Sequence, residues 1–255
     1  SECLVGSEMC IRDSYNIMNN YYKLGPASAK DKTHARFFTA YIDDGKNAQD
    51  AGVFGYFYVN GNIMDNTYVD LSGEQQKEIA SANANNTSST AFKVKNDERT
   101  SSDLLLDMRI DILSDYSFMQ SATDAYETVL AYAGAWTCGW KDNEYIIPER
   151  DKIDRRIVSE TANGTYSTNA SKGGGYGLID SQVDTIEKWD EYITATSSLV
   201  DTDKDGIPDG WEIAKGLNPN DASDGAKYNL SAAYTNLEVY LNGLVENTFP
   251  ASHPK

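Results

Sequence analysis

The sequence has few of the residue types that common catalytic and binding sites require. Two histidines in 255 residues, His34 and His253, leave a Ser-His-Asp triad or a histidine-rich metal site poorly supported. Lysine and arginine number 22 against 39 acidic residues, and the net charge of −17 argues against nucleic acid as a partner. No apolar run approaches the roughly 18 residues that a membrane-spanning helix needs. The length fits one or two domains with a sizeable core.

Cysteine is also scarce, and its positions restrict its role. Of three cysteines, Cys3 and Cys10 lie close to the start of the chain and Cys138 stands alone. The string that begins at Cys3, C-L-V-G-S-E-M-C-I-R-D-S, resembles the translation of a transposase-type DNA sequencing adaptor. We therefore interpret residues 1–14 as a non-native segment, and we expect the genuine polypeptide to begin near Tyr15 with its signal peptide missing. Without the first two cysteines no internal disulfide is possible.

The segment Asp201–Glu212 carries the most specific chemical pattern, D-T-D-K-D-G-I-P-D-G-W-E. Carboxylates occupy positions 1, 3, 5, 9 and 12, and Gly206 occupies position 6, where a twelve-residue calcium loop turns sharply. Like charges this close repel unless a cation neutralises them, so we predict bound Ca²⁺. We interpret its role as structural, because the loop offers neither an open coordination position nor a base. The predicted ligands are Asp201, Asp203, Asp205, the backbone carbonyl of Ile207, Asp209 and Glu212.

Two similar heptapeptides indicate a repeating fold. N-I-M-N-N-Y-Y begins at Asn16, and N-I-M-D-N-T-Y begins 46 residues later at Asn62. This spacing fits two coils of about 23 residues, a size typical of parallel β-helices. In such a solenoid, asparagines stacked at one turn form side-chain ladders. Segments 35–42 and 56–59, which lie between or beside the repeats, have the composition of strands.

The remainder of the chain shows helical patterns separated by polar loops. We predict helices over 72–83, 121–133 and 150–162, a short helix from Pro208, and a last helix over 235–245 with an apolar stripe. The Gly-rich stretch 172–177 lacks the Gly-Lys-Ser/Thr ending of a phosphate-binding loop and is interpreted as a connector.

We divide the chain into four segments. They are the non-native segment 1–14, terminal β-helix coils with a helical excursion over 15–120, helices and loops packing on them over 121–200, and a calcium-loop motif with a C-terminal helix over 201–249.

Several sequence blocks, taken together and in this order, resemble bacterial pectate lyases of polysaccharide lyase family 1. The blocks are Y-N-I-M-N-N-Y-Y-K-L-G-P-A from Tyr15, A-Y-E-T-V-L-A-Y-A-G-A from Ala125, R-D-K-I-D-R-R-I-V from Arg150, G-L-I-D-S-Q from Gly177, and the calcium loop followed by G-L-N-P-N-D and Y-T-N-L-E-V-Y-L-N. The similarity spans about 15–246, although the stretch 136–147 is longer than the resemblance leads us to expect.

This resemblance implies a mainly β fold, with terminal coils of a right-handed parallel β-helix and a helical and loop tail that carries the EF-hand-like calcium loop. It also implies a secreted or cell-surface monomer, extracellular or periplasmic, that acts on pectin or polygalacturonate. The reaction would be calcium-assisted β-elimination: the cation acidifies the C5 proton, an arginine base removes it, and the C4 oxygen leaves.

The resemblance places the catalytic acids and base N-terminal to the N-N-Y-Y block. No catalytic residue can therefore be carried over, and the base is expected upstream of Tyr15. Lys23 and Arg36 are the candidates for contact with an anionic saccharide. We predict that the chain is the C-terminal part of a pectate lyase and is inactive alone.

Three alternatives compete with this interpretation. The first is a non-catalytic, calcium-stabilised β-helix or carbohydrate-binding module, although a single calcium loop argues against a dockerin. The second is a galacturonan hydrolase, which needs two or three close aspartates, whereas Asp43 and Asp44 are the only adjacent pair in the β-like part. The third is an EF-hand regulator, which fails because no long helix precedes Asp201.

Overall fold

The computed structural model describes residues 13–30, 33–46, 50–95, 98–141, 144–167, 171, 176–177, 179–184 and 199–245. Nearly all of the predicted non-native segment 1–14, most of the connector 172–177, and His253 lie outside the described residues. The chain divides into two compact units, Ser1–Ala131 with Glu160–Tyr166, and Tyr132–Ser159 with Ser167–Lys255.

Six short strands in the first unit form three parallel pairs. They are β1 (Ser14–Met18), β2 (Tyr21–Lys23), β3 (Phe38–Tyr41), β4 (Tyr56–Asn60), β5 (Ile63–Asp65) and β6 (Phe92–Lys95). β1 pairs with β4, β2 with β5 and β3 with β6, so the second set of three follows the first in the same order. The strands predicted over 35–42 and 56–59 are confirmed as β3 and β4, whereas β6 was not predicted.

The register of these pairs differs from the repeat in the sequence. Tyr21 lies opposite Ile63, and Asn20 hydrogen-bonds to Asn62, a separation of 42 residues. The 46-residue spacing of the two heptapeptides is therefore not the structural repeat, and the prediction of two 23-residue coils between them is wrong. Asn16 lies inside β1, whereas Asn62 lies in the turn before β5, so the matching letters occupy different positions in the fold.

The turns before β2 and β5 stack on each other. Asn19 and Gly61 both have left-handed backbone conformations, with φ of 54° and 71°. In the following residues, the backbone N–H and the Nδ2 of Asn20 donate to Oδ1 of Asn62 at 3.0 and 2.9 Å. Asn86 hydrogen-bonds in turn to the backbone of Asn62. Asn20, Asn62 and Asn86 are thus linked by hydrogen bonds, with a bond between two side chains only from Asn20 to Asn62.

The buried side chains of the first unit form two apolar clusters. One consists of Ala35, Phe37, Met64, Val69, Leu71, Ile79, Ala82 and Ala91. The other consists of Ala40, Ile42, Phe57, Val59, Phe92 and Leu104. Because alternate residues of a strand point to opposite faces, each strand contributes only part of its length to these clusters.

Five helices occupy the regions where the helical patterns predicted them. They are α1 (Gly73–Ala84), α2 (Ala122–Tyr132), α3 (Lys152–Asn163), α4 (Asp209–Lys215) and α5 (Asn236–Val245). α1 begins where it does because Ser72 and Gln75 form a capping box, in which each side chain accepts from the other residue's backbone N–H at 3.3 and 2.9 Å. Short 3₁₀ turns span Pro26–Lys30, Ser101–Asp103 and Gln182–Asp184.

The stretch 136–147, which the sequence left without a role, belongs to a hairpin in the second unit. β7 (Trp136–Lys141) and β8 (Glu144–Arg150) pair antiparallel, with an irregularity between Thr137 and Gly139. Cys138 lies within β7. Among the helices that the structure describes, none is both long and apolar enough to span a membrane.

Candidate functional site

The predicted calcium loop folds around hydrogen bonds from its own backbone. Lys204 and Gly206 have φ of 65° and 98°, and these left-handed conformations bend the chain sharply. Asp201 accepts from both residues, through Oδ1 from Lys204 at 2.7 Å and through Oδ2 from Gly206 at 3.1 Å. The ligand oxygens of Asp201, Asp203 and Asp205 consequently lie within 4.8 Å of one another.

Asp203 and Asp205 each use one carboxylate oxygen to hold the loop and keep the other one free. Oδ1 of Asp203 accepts from Asp205 at 3.3 Å, and Oδ1 of Asp205 accepts from Ile207 at 2.8 Å. The Oδ2 atoms of both aspartates are buried and have no hydrogen-bond partner in the described part of the chain. Each aspartate therefore directs one uncompensated anionic oxygen into the protein.

Glu212, at the end of the loop, is fully buried in the first turn of α4. Neither Oε1 nor Oε2 has a hydrogen-bond partner among the described residues. Burial, followed by the charges of Asp203 and Asp205, raises the pKa of Glu212 to about 7. A buried carboxylate in this position requires either a proton or a cation to neutralise it.

Asp224, which lies outside the twelve-residue pattern, joins the same cluster. Its ligand oxygen lies within 4.8 Å of those of Asp205 and Glu212, and it is 6% exposed. Oδ2 of Asp224 accepts from the backbone of Asn218 at 2.9 Å, whereas Oδ1 is buried without a partner in the described residues. Asp224 was not predicted as a ligand, because the twelve-residue calcium-loop pattern ends at Glu212.

Asp209 lies outside both groups of potential ligands. Its Oδ1 accepts from the backbone N–H of Thr202 at 2.7 Å, and its Oδ2 accepts from the Thr202 hydroxyl at 2.6 Å. These hydrogen bonds hold the pKa of Asp209 below its usual value. The structure therefore brings together four of the five predicted acidic ligands, and Asp209 is directed to Thr202 instead.

The residues of this cluster fit a hard divalent cation. Five buried oxygens without partners come from Asp203, Asp205, Glu212 and Asp224, and all of them belong to carboxylates. Ca²⁺ binds six to eight such oxygens at about 2.3–2.6 Å, and flexible aspartates suit its irregular coordination. Ile207, whose carbonyl was predicted as a ligand, is fully buried in a small core with Trp211 and Tyr240.

Lys23 and Arg36, the predicted saccharide contacts, line one cavity in the first unit. The cavity has a volume of about 400 Å³, and its other lining residues are Tyr21, Tyr22, Leu24, Thr33, His34 and Met64. Three cationic or basic side chains therefore converge in a protein whose net charge is −17. His34 was not predicted as a site residue, and its Nε2 lies 2.9 Å from Glu78.

Lys23 is held by acidic and aromatic groups. Its Nζ lies 3.3 Å from Asp65, donates to the Tyr126 hydroxyl at 2.9 Å, and stands 4.5 Å from the centre of the Tyr68 ring. Burial alone would lower the pKa of Lys23, but its hydrogen bonds to Tyr126 and Asp65 raise it above the usual value. Lys23 is therefore a permanent positive charge in a fixed position.

Arg36 differs from Lys23 because its guanidinium is not neutralised locally. Its Nε is buried without a hydrogen-bond partner, and no ion pair joins it to an acid in the described part of the chain. A buried donor without a partner is costly, since it loses its hydration without compensation.

The comparisons with known proteins indicate a distant relationship. The chain is 30% identical over 138 residues to the probable pectate lyase C of two strains of Aspergillus fumigatus, and 28% identical over 137 residues to that of Neosartorya fischeri. Each alignment covers 52% of this chain but only 26% of the relative. No family model and no solved structure matches the chain. The chain is thus related to pectate lyases at low identity over about half of its length.

Proposed function

We propose that this chain is the C-terminal, saccharide-holding part of a secreted, calcium-dependent polygalacturonate lyase, and that it does not cleave the substrate alone. The base and the catalytic acids would lie outside residues 15–255. The distant relationship to pectate lyases supports polygalacturonate as the substrate class, and the short coverage of those relatives is compatible with a partial enzyme.

We propose further that β1–β3 and β4–β6 are two successive coils of a right-handed parallel β-helix, and that the three parallel strand pairs are its faces. Two features support this assignment. The pairs keep the same order in both passes of the chain. The hydrogen bond between Asn20 and Asn62 places the turns before β2 and β5 one above the other, as expected for coils that wind around a common core.

The observation that carries the proposed function is the position of Arg36. Arg36 lines the same cavity as Lys23, and its buried Nε has no hydrogen-bond partner among the described residues. An arginine fork suits a carboxylate, because its parallel N–H groups can bind both oxygens. Each galacturonate unit carries one carboxylate, so one unit of the polymer offers the anion that Arg36 could bind, and a cavity of about 400 Å³ is large enough for a small ligand.

The calcium ion at the loop has a structural role in this proposal. Asp201, Asp203, Asp205 and Glu212 would hold it together with the carbonyl of Ile207. When bound, Ca²⁺ neutralises the buried carboxylates and so stabilises the surrounding residues. It lies in the second unit and is not assigned to the reaction.

The binding part of the proposal is tested by titrating trigalacturonate into the full chain in calcium. We expect Arg36→Gln to weaken binding at least about tenfold, because it removes a charge-assisted hydrogen bond. Arg109→Gln is the matched control, since Arg109 is exposed and paired with Asp111 at 3.1 Å. Fully methyl-esterified trigalacturonate should bind weakly to all three proteins. Equal affinities of the parent and Arg36→Gln for trigalacturonate would contradict the proposal.

The catalytic part is tested with polygalacturonate and calcium, by following the ultraviolet absorbance of the unsaturated uronide. We expect no β-elimination by the full chain, because no arginine base carries over from the resemblance. A rise in absorbance that calcium supports and a chelator abolishes would show that a base lies within this chain.

A further inference from the structure

We propose that Asp224 is a direct ligand of the cation and closes the site from outside the loop, in the place that the sequence pattern assigns to Asp209. This inference rests on the proposed calcium site. Its consequence is that the ion joins two segments, the loop Asp201–Glu212 and the turn that contains Asp224. The site would thus be a cross-link between the two segments.

Hydrogen bonds within its own turn position Asp224. Its backbone N–H donates to the carbonyl of Asp221 at 2.8 Å, and its Oδ2 accepts from the backbone of Asn218 at 2.9 Å. These two contacts fix the backbone and one oxygen of the carboxylate. The other oxygen, Oδ1, is left buried without a partner in the described residues, within 4.8 Å of ligand oxygens of Asp205 and Glu212.

Asn236 anchors the turn from the opposite side. It is fully buried at the start of α5, and its Nδ2 donates to the carbonyl of Asp224 at 2.8 Å and to Oδ1 of Asn229 at 3.1 Å. Its own Oδ1 accepts from the backbone of Asn229 and Leu230 at 3.1 and 3.2 Å. All of its side-chain hydrogen-bonding capacity is therefore used to hold the turn in place.

Gly225 brings the turn into direct contact with the loop. A Cβ atom at this position would lie 2.3 Å from Oδ2 of Asp205, one of the oxygens without a partner. Only glycine therefore allows the chain to approach the Asp205 carboxylate this closely. The carboxylates of Asp205 and Asp224, whose ligand oxygens lie within 4.8 Å of each other, repel each other unless a cation lies between them.

Asp209 has a different role, which accounts for its absence from the cluster. Both of its oxygens accept from Thr202, so it closes the loop through hydrogen bonds at 2.7 and 2.6 Å. A carboxylate whose two oxygens are already satisfied gains less from a cation than one with a free, buried oxygen. Ion binding therefore gains more from Asp224 than from Asp209, and Asp209 is a positioning residue.

The test is calorimetric titration of Ca²⁺ into the full chain after removal of metal by a chelator. Asparagine has a single side-chain oxygen, which cannot serve both the Asn218 N–H and the ion, so Asp224→Asn should raise the dissociation constant at least about tenfold. Asp221→Asn is the matched control, because Asp221 pairs with Lys227 at 3.0 Å outside the cluster. We expect it and Asp209→Asn to stay within about threefold of the parent.

The outcomes separate this inference from the proposals on which it depends. An Asp224→Asn affinity equal to that of the parent, or a greater loss in Asp209→Asn, would overturn the role of Asp224 alone. A parent that binds no calcium would overturn the ion site itself. The trigalacturonate titration of Arg36→Gln tests the proposed function separately from this result. If Asp224→Asn does not fold, Gly225→Ala provides the second reading, because displacement of the Asp205 carboxylate should also weaken binding. Unchanged affinity in Gly225→Ala would then overturn the inference.

Discussion

Asn86 supplies the backbone of Asn62 with both a hydrogen-bond acceptor and a donor. Its Oδ1 accepts from the Asn62 N–H at 2.6 Å, and its Nδ2 donates to the Asn62 carbonyl at 3.0 Å. Asn83 does the same for Met64, at 2.8 and 2.9 Å. These backbone groups, in β5 and in the residue before it, face away from β2, so two side-chain amides at the end of α1 take the place of a further strand. They satisfy an edge that would otherwise be open to pairing with another chain.

We predict that Asn86→Ala destabilises the first unit by about 2–4 kcal/mol, since it leaves buried backbone groups of Asn62 without partners. Asn85→Ala is the control: Asn85 is exposed and caps only Thr87, so its loss should cost under about 1 kcal/mol. Urea unfolding followed by circular dichroism measures both. Equal losses of unfolding free energy in the two variants would show that the hydrogen bonds from Asn86 to the Asn62 backbone contribute little to stability.

Gly61→Ala should destabilise the protein by about 1–3 kcal/mol, because the backbone has φ of 71° and the added Cβ would lie 2.1 Å from Oδ1 of Asn19. Gly25→Ala is the matched control, since no atom lies within 4 Å of its Cβ position. The difference in melting temperature between the two variants is the measurement. If Gly61→Ala and Gly25→Ala have the same melting temperature, the stacked turns do not constrain the fold.

Asp65 should contribute to the acid sensitivity of the first unit. Burial raises its pKa, but hydrogen bonds from Thr67, Tyr21 and Lys23 outweigh burial, so the pKa lies below the usual 3.8. A group with a depressed folded-state pKa contributes stability above its unfolded pKa, and this contribution is lost as the pH falls through the folded value.

Asp65→Asn should therefore be less stable than the parent near neutral pH, and the difference should shrink as the pH falls below about 4. Unfolding free energies measured by urea titration from pH 7 down to pH 3 test this. Asp107→Asn, at an exposed carboxylate, provides the reference curve. A pH-independent difference between parent and Asp65→Asn would contradict the assigned role.

Asp203→Ala should lower the melting temperature in calcium and remove most of the difference between calcium and chelator. The reason is that Asp203 Oδ2 is one of the buried oxygens without a partner, so its removal weakens ion binding and relieves repulsion in the ion-free protein. At calcium concentrations of 100 times the dissociation constant, the parent should gain about 2.7 kcal/mol from the ion.

Differential scanning calorimetry of the parent and of Asp203→Ala, each with calcium and with chelator, gives the four melting temperatures that test this. Asp221→Ala serves as the control, because Asp221 is bonded to Lys227 and Ser223 outside the cluster. A parent that melts at one temperature in both buffers would refute the stabilising role of calcium.

Local patterns in the sequence were sufficient to predict the helices and the loop. α1, α2 and α5 lie within two residues of their predicted bounds, because capping residues and apolar periodicity act over one or two turns. The acids of Asp201–Glu212 were identifiable for the same reason, since a twelve-residue loop places its own ligands. Lys23 and Arg36 were named from the sequence, but their shared cavity depends on how β2 and the segment before β3 pack.

The sequence by itself determined the helix positions, the acidic loop and the presence of strand-forming segments, because each depends on neighbours close in the chain. Only the tertiary structure decided the 42-residue strand register, the closing of the β5 edge by Asn86, and the position of Asp224 rather than Asp209 in the acidic cluster. These relationships join residues that are 12 to 42 positions apart, and packing and hydrogen bonding across the fold select them from many asparagines and aspartates that look alike in the sequence.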